Sequence, residues 1–364
     1  MENKIKPHDP TLKNKSHKNL LRLVAWETTR NCNLSCVHCR ASATLGPHSG
    51  ELDTKASFKL FDQIGEIGDP IIILTGGEPL LRDDIYDIAS YGSSKGFRMV
   101  MAPNGTLITK ESAKKIADSG IKRISISLDG ATKERHDKFR GVDGAFEGSL
   151  QGLRYAKEAG IEFQINTTIT KTNLKEIPKI QELAASLGAV SHHIFLLVPT
   201  GRGKYIVDQE INAKEYEETL NWFYDQYNKT SMQLKATCAP HYYRILRQRS
   251  KKEGKSVSFK THGLDAVTRG CLGGTGFCFI SHRGIVKPCG FLDLNCGDVT
   301  KTSFSKIWHN SNILNSLRDF NKLKGKCGRC EYKSVCGGCR ARAYEATGDY
   351  LAQEPLCIYN PPKK

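Results

Sequence analysis

No stretch of this 364-residue chain approaches the roughly 18 to 20 consecutive apolar residues of a membrane span. The N-terminal run MENKIKPHDPTLKNKSHKN is polar and lacks the apolar core of a secretory signal, so export is not expected. The chain also lacks internal repeats and low-complexity segments, which excludes solenoids and compositionally biased linkers. Acidic residues are in short supply: 38 Asp and Glu stand against 54 Lys and Arg, a formal net charge of +16. That balance suits an anionic substrate, a nucleic acid or acidic lipid. The cations are spread along the chain, and the dense N-terminal and RQRSKKEGK stretches read as solvated segments, so no nucleic acid is expected as a partner. Hydrophobic residues at 39% and charged residues at 25% are enough to build one large domain or two ordinary ones. Cysteine is plentiful, at thirteen. Without a secretory signal, so many thiols point to a reducing cytoplasm and to metal ligation instead of disulfides.

Three of the cysteines, Cys32, Cys36 and Cys39, fall within eight residues in TTRNCNLSCVHC, directly after the apolar run LRLVAW at 21–26. Three thiolates can hold three irons of a 4Fe–4S cluster and leave the fourth iron open to a small chelating ligand. A zinc site would ask for a fourth protein ligand nearby, and the next cysteine is Cys238. The C-x3-C-x2-C spacing resembles the signature of the radical S-adenosylmethionine (radical SAM) superfamily. The resemblance implies that SAM binds the open iron by its amino and carboxylate groups. It is then cleaved to methionine and a 5′-deoxyadenosyl radical.

From residue 21 to about 230, short β-rich runs alternate with helical segments. The strand candidates are LRLVAW (21–26), PIIILT (70–75), FRMVMA (97–102), IKRISISL (121–128), IEFQINTTI (161–169) and HHIFLLV (192–198). Several intervening helical segments end at glycine. This pattern predicts an α/β fold with a parallel sheet whose active site lies at the carboxyl ends of the strands. Six such units match the partial (β/α)6 TIM-type barrel that the resemblance implies. Ten of the thirteen cysteines lie between 238 and 357, where the alternation stops. The expected organisation is a polar segment at 1–20, the radical SAM barrel at 21–230, and a cysteine-rich domain at 231–364. The boundary falls near 231–237, and the tail PPKK reads as frayed.

At the second strand end, ILTGGEPLL offers Gly76 and Gly77, which let a backbone approach a ligand closely, then Glu78, placed to accept from an ammonium, and Pro79. The resemblance implies that this GGE element binds the SAM amino group. SISLDG ends the fourth strand, and the resemblance implies ribose contacts for Ser127 and Asp129; Asp129-Gly130 also reads as a plain strand-to-helix turn. Asn104 and Asn166 sit at two further strand ends and are additional candidates. His38 stands where the family usually has an aromatic residue near the adenine; it can stack there or simply pack.

The C-terminal cysteines are ordered as Cys271, Gly284, Cys289, then Cys327-x2-Cys330-x5-Cys336-x2-Cys339, then Cys357. This resembles the SPASM extension, although the usual last interval of three is two here, in CGGC. The resemblance implies two auxiliary 4Fe–4S clusters. One takes Cys327, Cys330, Cys336 and Cys357, and the other takes Cys271, Cys289 and Cys339. Cys238, Cys278 and Cys296 compete for the remaining place. With SAM and its cluster, this makes three 4Fe–4S clusters and eleven ligating cysteines. A zinc ribbon would use four cysteines and leave the others unexplained.

The strings RLVAWETTRNCNLSCVHCRA, MAPNGTLIT, HHIFLLVPTGRG, CLGGTGFCFIS and CGGCRARA resemble the tetrapyrrole branch of SPASM proteins, heme b synthases above all. That resemblance implies conversion of two propionates of iron-coproporphyrin III to vinyl groups. It also implies a tetracarboxylate porphyrin substrate and a flavodoxin- or ferredoxin-like electron donor. Basic side chains would clamp the propionates, with Arg40, Arg202 and Lys204 near strand ends as candidates. Two other readings stay open: a peptide-modifying SPASM enzyme and a non-catalytic iron–sulfur carrier. The carrier has no need of GGE and SISLDG.

Overall fold

The computed structural model describes residues 21–262 and 264–362. The polar 1–20 segment and the last two residues of the PPKK tail lie outside the described residues. Seven parallel strands run in chain order across one sheet: β1 (Leu23–Thr29), β2 (Ile71–Gly76), β3 (Met99–Met101), β4 (Arg123–Ser127), β5 (Glu162–Ile169), β6 (Ser191–Leu196) and β7 (Gln233–Thr237). Helices join them: α1 (Thr54–Gly65), α2 (Ile85–Ser94), α3 (Lys110–Asp118), α4 (Lys133–Arg140), α5 (Ala145–Glu158), α6 (Ile177–Leu187) and α7 (Ala213–Gln226). After β7 comes α8 (His241–Lys252).

The period-2 pattern of the strands decides which face the helices cover. In β4, Ile124 and Ile126 are fully buried while Ser125 and Ser127 are half-buried. Ile72 and Leu74 of β2 and Phe163 and Ile165 of β5 face the same core as Leu60, Phe61 and Ile64 of α1 and Ile180 and Ala184 of α6. The opposite face carries Gln164, Asn166, Thr168 and His193 and is only half-buried. Cap chemistry sets the helix starts: Asp53 accepts from the Ala56 N–H at 2.7 Å, and Thr109 and Ser112 cap α3 reciprocally.

The alternation runs one strand further than the six expected, because β7 pairs with β6 in parallel register, His193 opposite Lys235. At the other edge, β8 (Phe277–Ile280) pairs in parallel with β1, and β9 (Ile285–Lys287) and β10 (Gly297–Asp298) follow antiparallel. The cysteine-rich part of the chain thereby continues the same sheet to ten strands, open at β7 and β10. β1 is therefore interior to the sheet and buried at every residue after Leu23. No helix among the described residues is long and apolar enough to cross a membrane.

Candidate active site

The loop carrying Cys32, Cys36 and Cys39 leaves β1 at the carboxyl end of the sheet and is stitched to the end of β2. The Gly77 N–H donates to the Thr29 carbonyl at 2.7 Å and the Glu78 N–H to the Asn31 carbonyl at 2.8 Å. A Cβ on Gly76 would collide with the Thr29 carbonyl, and one on Gly77 with that of Asn31. The bareness of both glycines thus brings β2 against the cysteine loop. Pro79 opens the short turn that follows, and Glu78 caps it.

Glu78 itself is fully buried, with one oxygen accepting from the Leu80 N–H at 3.0 Å and the other from the Asn104 N–H at 2.6 Å. Burial pushes its carboxyl up to about 7 against these two donors. The side chain is thereby held by the backbone of its own turn and of the β3 end, beside the cysteine loop. Asn104 in turn donates to Asn33 Oδ1 at 2.8 Å, tying the β3 end into the cysteine loop.

Asp129 is also fully buried, accepts from the Thr168 N–H at 2.6 Å, and pairs with Arg140 at the end of α4. Its carboxylate is thereby fixed beside Cys36, which the same Arg140 also reaches. Ser127 stays half-buried and stands level with Asn166 on β5, so these two share the open face. Asn166 Oδ1 accepts from Gln164 at 2.9 Å. The ring of His38 stacks on Phe139 at 4.4 Å between centroids, which favours its packing role.

Arg140 was not legible in the sequence, because KERHDKFR reads as a solvated helix. The structure buries it to 8% exposure, with one guanidinium nitrogen on Asp129 and another donating to Cys36 Sγ at 3.7 Å. Replacing it by methionine leaves Asp129 buried without its partner. Arg140→Met should cost about 3–5 kcal/mol, read as a lower thermal midpoint, and a second change of Asp129→Asn should recover most of the loss. An unchanged midpoint in the single variant would contradict this pairing.

Arg202 and Lys204 are otherwise engaged. Arg202 donates to the carbonyls of Cys36 at 2.8 Å and Ala43 at 2.6 Å, so it braces the cysteine loop. Lys204 pairs with Glu345 at 3.0 Å, its side chain 58% exposed. Arg40 is different. Its guanidinium lies over the Phe279 ring at 4.4 Å and 3.5 Å from Glu27, and its stem packs against Gly290. It therefore spans from Cys39, its chain neighbour, to the residue after Cys289. Glu27 is the unforeseen partner, and its one signal was an acid inside an apolar strand. Burial raises its pKa, yet the hydrogen bond with His282 at 2.8 Å and the Arg40 charge outweigh this and hold it near 2.

The C-terminal cysteines form two sets. Cys327, Cys330, Cys336 and Cys357 line one open hollow. Cys238, Cys271, Cys289 and Cys339 lie within electrostatic reach of one another. Cys278 is fully buried in β8 with Cys296 as its neighbouring thiol, away from both sets. CGGC can serve both sets because Gly337 and Gly338 each adopt positive φ, 74° and 63°, which turns Cys336 and Cys339 apart. Between the sets lies the buried Arg342, 2.9 Å from Glu210 and 3.2 Å from Glu354, with His241 on the far side of Glu354.

Among the described residues no three His, Cys, Asp or Glu side chains stand at metal-ligand spacing. The fit of iron–sulfur clusters rests instead on placement and on sulfur hydrogen bonds. The Leu34 and Ala43 N–H groups donate to Cys32 and Cys39 Sγ at 3.5 and 3.4 Å, and those of Gly338 and Glu354 to Cys336 and Cys327 Sγ at 3.4 Å each. Such donors suit thiolates bound to a cluster. Burial, with Glu78, Cys36 and Cys39 nearby and against the Leu34 N–H, pushes the Cys32 thiol up to about 11, and a bound metal would favour its thiolate.

An open parallel α/β sheet with this loop at its carboxyl end defines a radical SAM protein. Residues 26–184 match the radical SAM superfamily, and residues 271–340 match SPASM, an iron–sulfur cluster-binding domain. The AdoMet-dependent heme synthase of Nitratidesulfovibrio vulgaris is 57% identical over 340 residues, 93% of each chain. That of Methanosarcina barkeri is 54% identical, over 95% of this chain and 99% of its own. The Fe-coproporphyrin III synthase of Methanosarcina barkeri is 32% identical, covering 92% and 87%. Streptococcus suis SuiB bound to S-adenosylmethionine shares the fold, with a TM-score of 0.73 at 16% identity over 94% of this chain and 78% of that one. The chain belongs to the radical SAM enzymes with a SPASM domain, in the family that includes the AdoMet-dependent heme synthases.

Proposed function

We propose that this enzyme decarboxylates two propionates of iron-coproporphyrin III, one after the other, to give the vinyl groups of heme b. The observation that carries the reading is the identity, above one half along nearly the whole chain, to AdoMet-dependent heme synthases. Cys32, Cys36 and Cys39 would hold the SAM-binding 4Fe–4S cluster, and the backbone of the GGE turn, Ser127 and Asn166 would line the SAM site. The sets of Cys327, Cys330, Cys336 and Cys357 and of Cys238, Cys271, Cys289 and Cys339 would hold two auxiliary clusters. When bound, SAM and its cluster supply a 5′-deoxyadenosyl radical, a very strong hydrogen-atom acceptor.

Each turnover removes a hydrogen atom from a propionate β-carbon, and the substrate radical then loses carbon dioxide and one electron. The products are a vinyl group, carbon dioxide and 5′-deoxyadenosine, and the electron leaves by the auxiliary sites. The substrate must therefore sit between the radical source and the electron exit. Arg40 spans that interval, and of its guanidinium only Nη1 meets Glu27, at 3.5 Å, so we assign it as a propionate anchor. Phe279 beneath its guanidinium fixes its plane for a bidentate contact. The reductant would be a flavodoxin or ferredoxin, and the compartment the cytoplasm.

The test is anaerobic turnover with SAM, a strong reductant and iron-coproporphyrin III. A monovinyl intermediate and then heme b are expected, with one SAM and one formic-acid equivalent lost per step. In the same assay Arg40→Gln should raise the porphyrin KM about tenfold while 5′-deoxyadenosine still forms. Unchanged iron porphyrin beside a modified peptide or another tetrapyrrole would defeat the assignment and leave the radical chemistry standing.

A further inference from the structure

The two auxiliary sites differ in how their surrounding charge is balanced. Beside the set with Cys238 and Cys339, Arg342 is offset by two carboxylates, Glu210 and Glu354. The hollow of Cys327, Cys330, Cys336 and Cys357 is different. Lys326 donates to the Cys357 carbonyl at 2.8 Å and Lys333 to Asn321 Oδ1 at 3.0 Å. Arg340 donates to Cys327 Sγ at 3.6 Å and to the carbonyls of Tyr350 and Ala352 at 3.1 and 2.6 Å. Arg244, which also lines the hollow, is offset by Glu217, but the partners of these three cations are neutral or sulfur and orient them without a carboxylate.

Exposed Lys322 and Arg329 extend the same field outward, and Arg329 precedes Cys330 directly. Between residues 319 and 333 there are five cations and two carboxylates, Asp319 and Glu331. Asp319 caps its own turn and Glu331 accepts from Tyr359. Asp349 is the further carboxylate on this side, paired with Lys324 at 2.6 Å. A cationic rim around a redox-active hollow, with Lys326 and Lys333 held in place, attracts a partner of opposite charge over a Debye length and orients it.

We infer that the rim formed by Lys322, Lys326, Arg329 and Lys333 is the docking face for an acidic one-electron carrier protein. The inference rests on the proposal that the four cysteines of this hollow hold an auxiliary cluster. The step at the face is a one-electron transfer: the substrate is oxidised as carbon dioxide leaves, the carrier's flavin or iron–sulfur centre is reduced, and no bond forms or breaks at the rim. Lys326 and Lys333 line the mouth of the hollow and Lys322 and Arg329 stand exposed beyond it, so the cations face a partner arriving from solvent.

The experiment uses the reconstituted full chain, reduced, desalted and mixed in a stopped-flow cell with an oxidised flavodoxin as acidic probe or benzoquinone as neutral probe. The expected result is a flavodoxin rate that falls steeply with salt. Lys322→Glu with Arg329→Glu should slow it about tenfold at low salt, with the quinone rate unchanged. Equal flavodoxin rates in the two proteins would overturn the docking face. So would an oligonucleotide that binds through Lys322 and Arg329 while flavodoxin ignores them. Iron content separates the two proposals: Cys327→Ala retaining all its iron defeats the cluster assignment, whereas a cluster present with no charge effect defeats only the docking face.

Discussion

Replacing Cys32, Cys36 and Cys39 together by alanine is expected to remove about a third of the iron, one cluster of three, and to abolish SAM cleavage. The loop is held by partners outside the three thiols. Arg202 donates to the Cys36 and Ala43 carbonyls, and Gly77 and Glu78 donate to Thr29 and Asn31. The triple variant should therefore keep the fold, with the auxiliary iron retained. The checks are iron analysis and the yield of 5′-deoxyadenosine with dithionite. Cleavage that survives the triple change would place radical generation elsewhere.

Cys238→Ala should lower the iron by about another third, leave SAM cleavage in place, and cut vinyl product at least about tenfold. The residue follows β7 with φ +55°, a conformation that costs a non-glycine residue on the order of 1–3 kcal/mol. Tyr216 and Arg342 hold its carbonyl there, at 3.1 and 3.3 Å. Those bonds aim its side chain at Cys289 and Cys339, with which it packs. Cys278→Ala and Cys296→Ala should each keep full iron. If either of these loses a cluster while Cys238→Ala does not, the fourth ligand has been misassigned. EPR before and after adding SAM distinguishes which cluster is gone.

Much of the architecture is legible in the sequence because strand runs such as IKRISISL carry their own period, and alternate residues must face core or cavity. The C-x3-C-x2-C loop is legible for a similar reason, since three ligands within eight residues need no tertiary information to converge. The six expected strands became seven parallel strands because QLKAT is a short edge strand with exposed Gln233 and half-buried Lys235 and Thr237. Such a strand has too few apolar residues to stand out. The pairing of β8 with β1 was hidden because 254 residues separate Leu23 from Phe277, and nothing local records which edge a distant strand will cover.

The polar residues divide the same way. Sequence alone placed Glu78 and Asp129 at strand ends, and there they are. Only the fold decided that both side chains would be sealed against backbone amides and, for Asp129, against Arg140. A carboxylate's partners come from other strands and helices, so no local pattern records them. The family resemblance of the sequence likewise implied two groups of C-terminal cysteines, seven of them assigned and Cys238, Cys278 and Cys296 competing for the eighth place. Tertiary structure brought Cys238 to Cys271, Cys289 and Cys339, and left Cys278 packed in the core beside Cys296. Spacing groups cysteines that are neighbours along the chain, whereas Cys238, 33 residues before Cys271, is placed by where β7 ends in space.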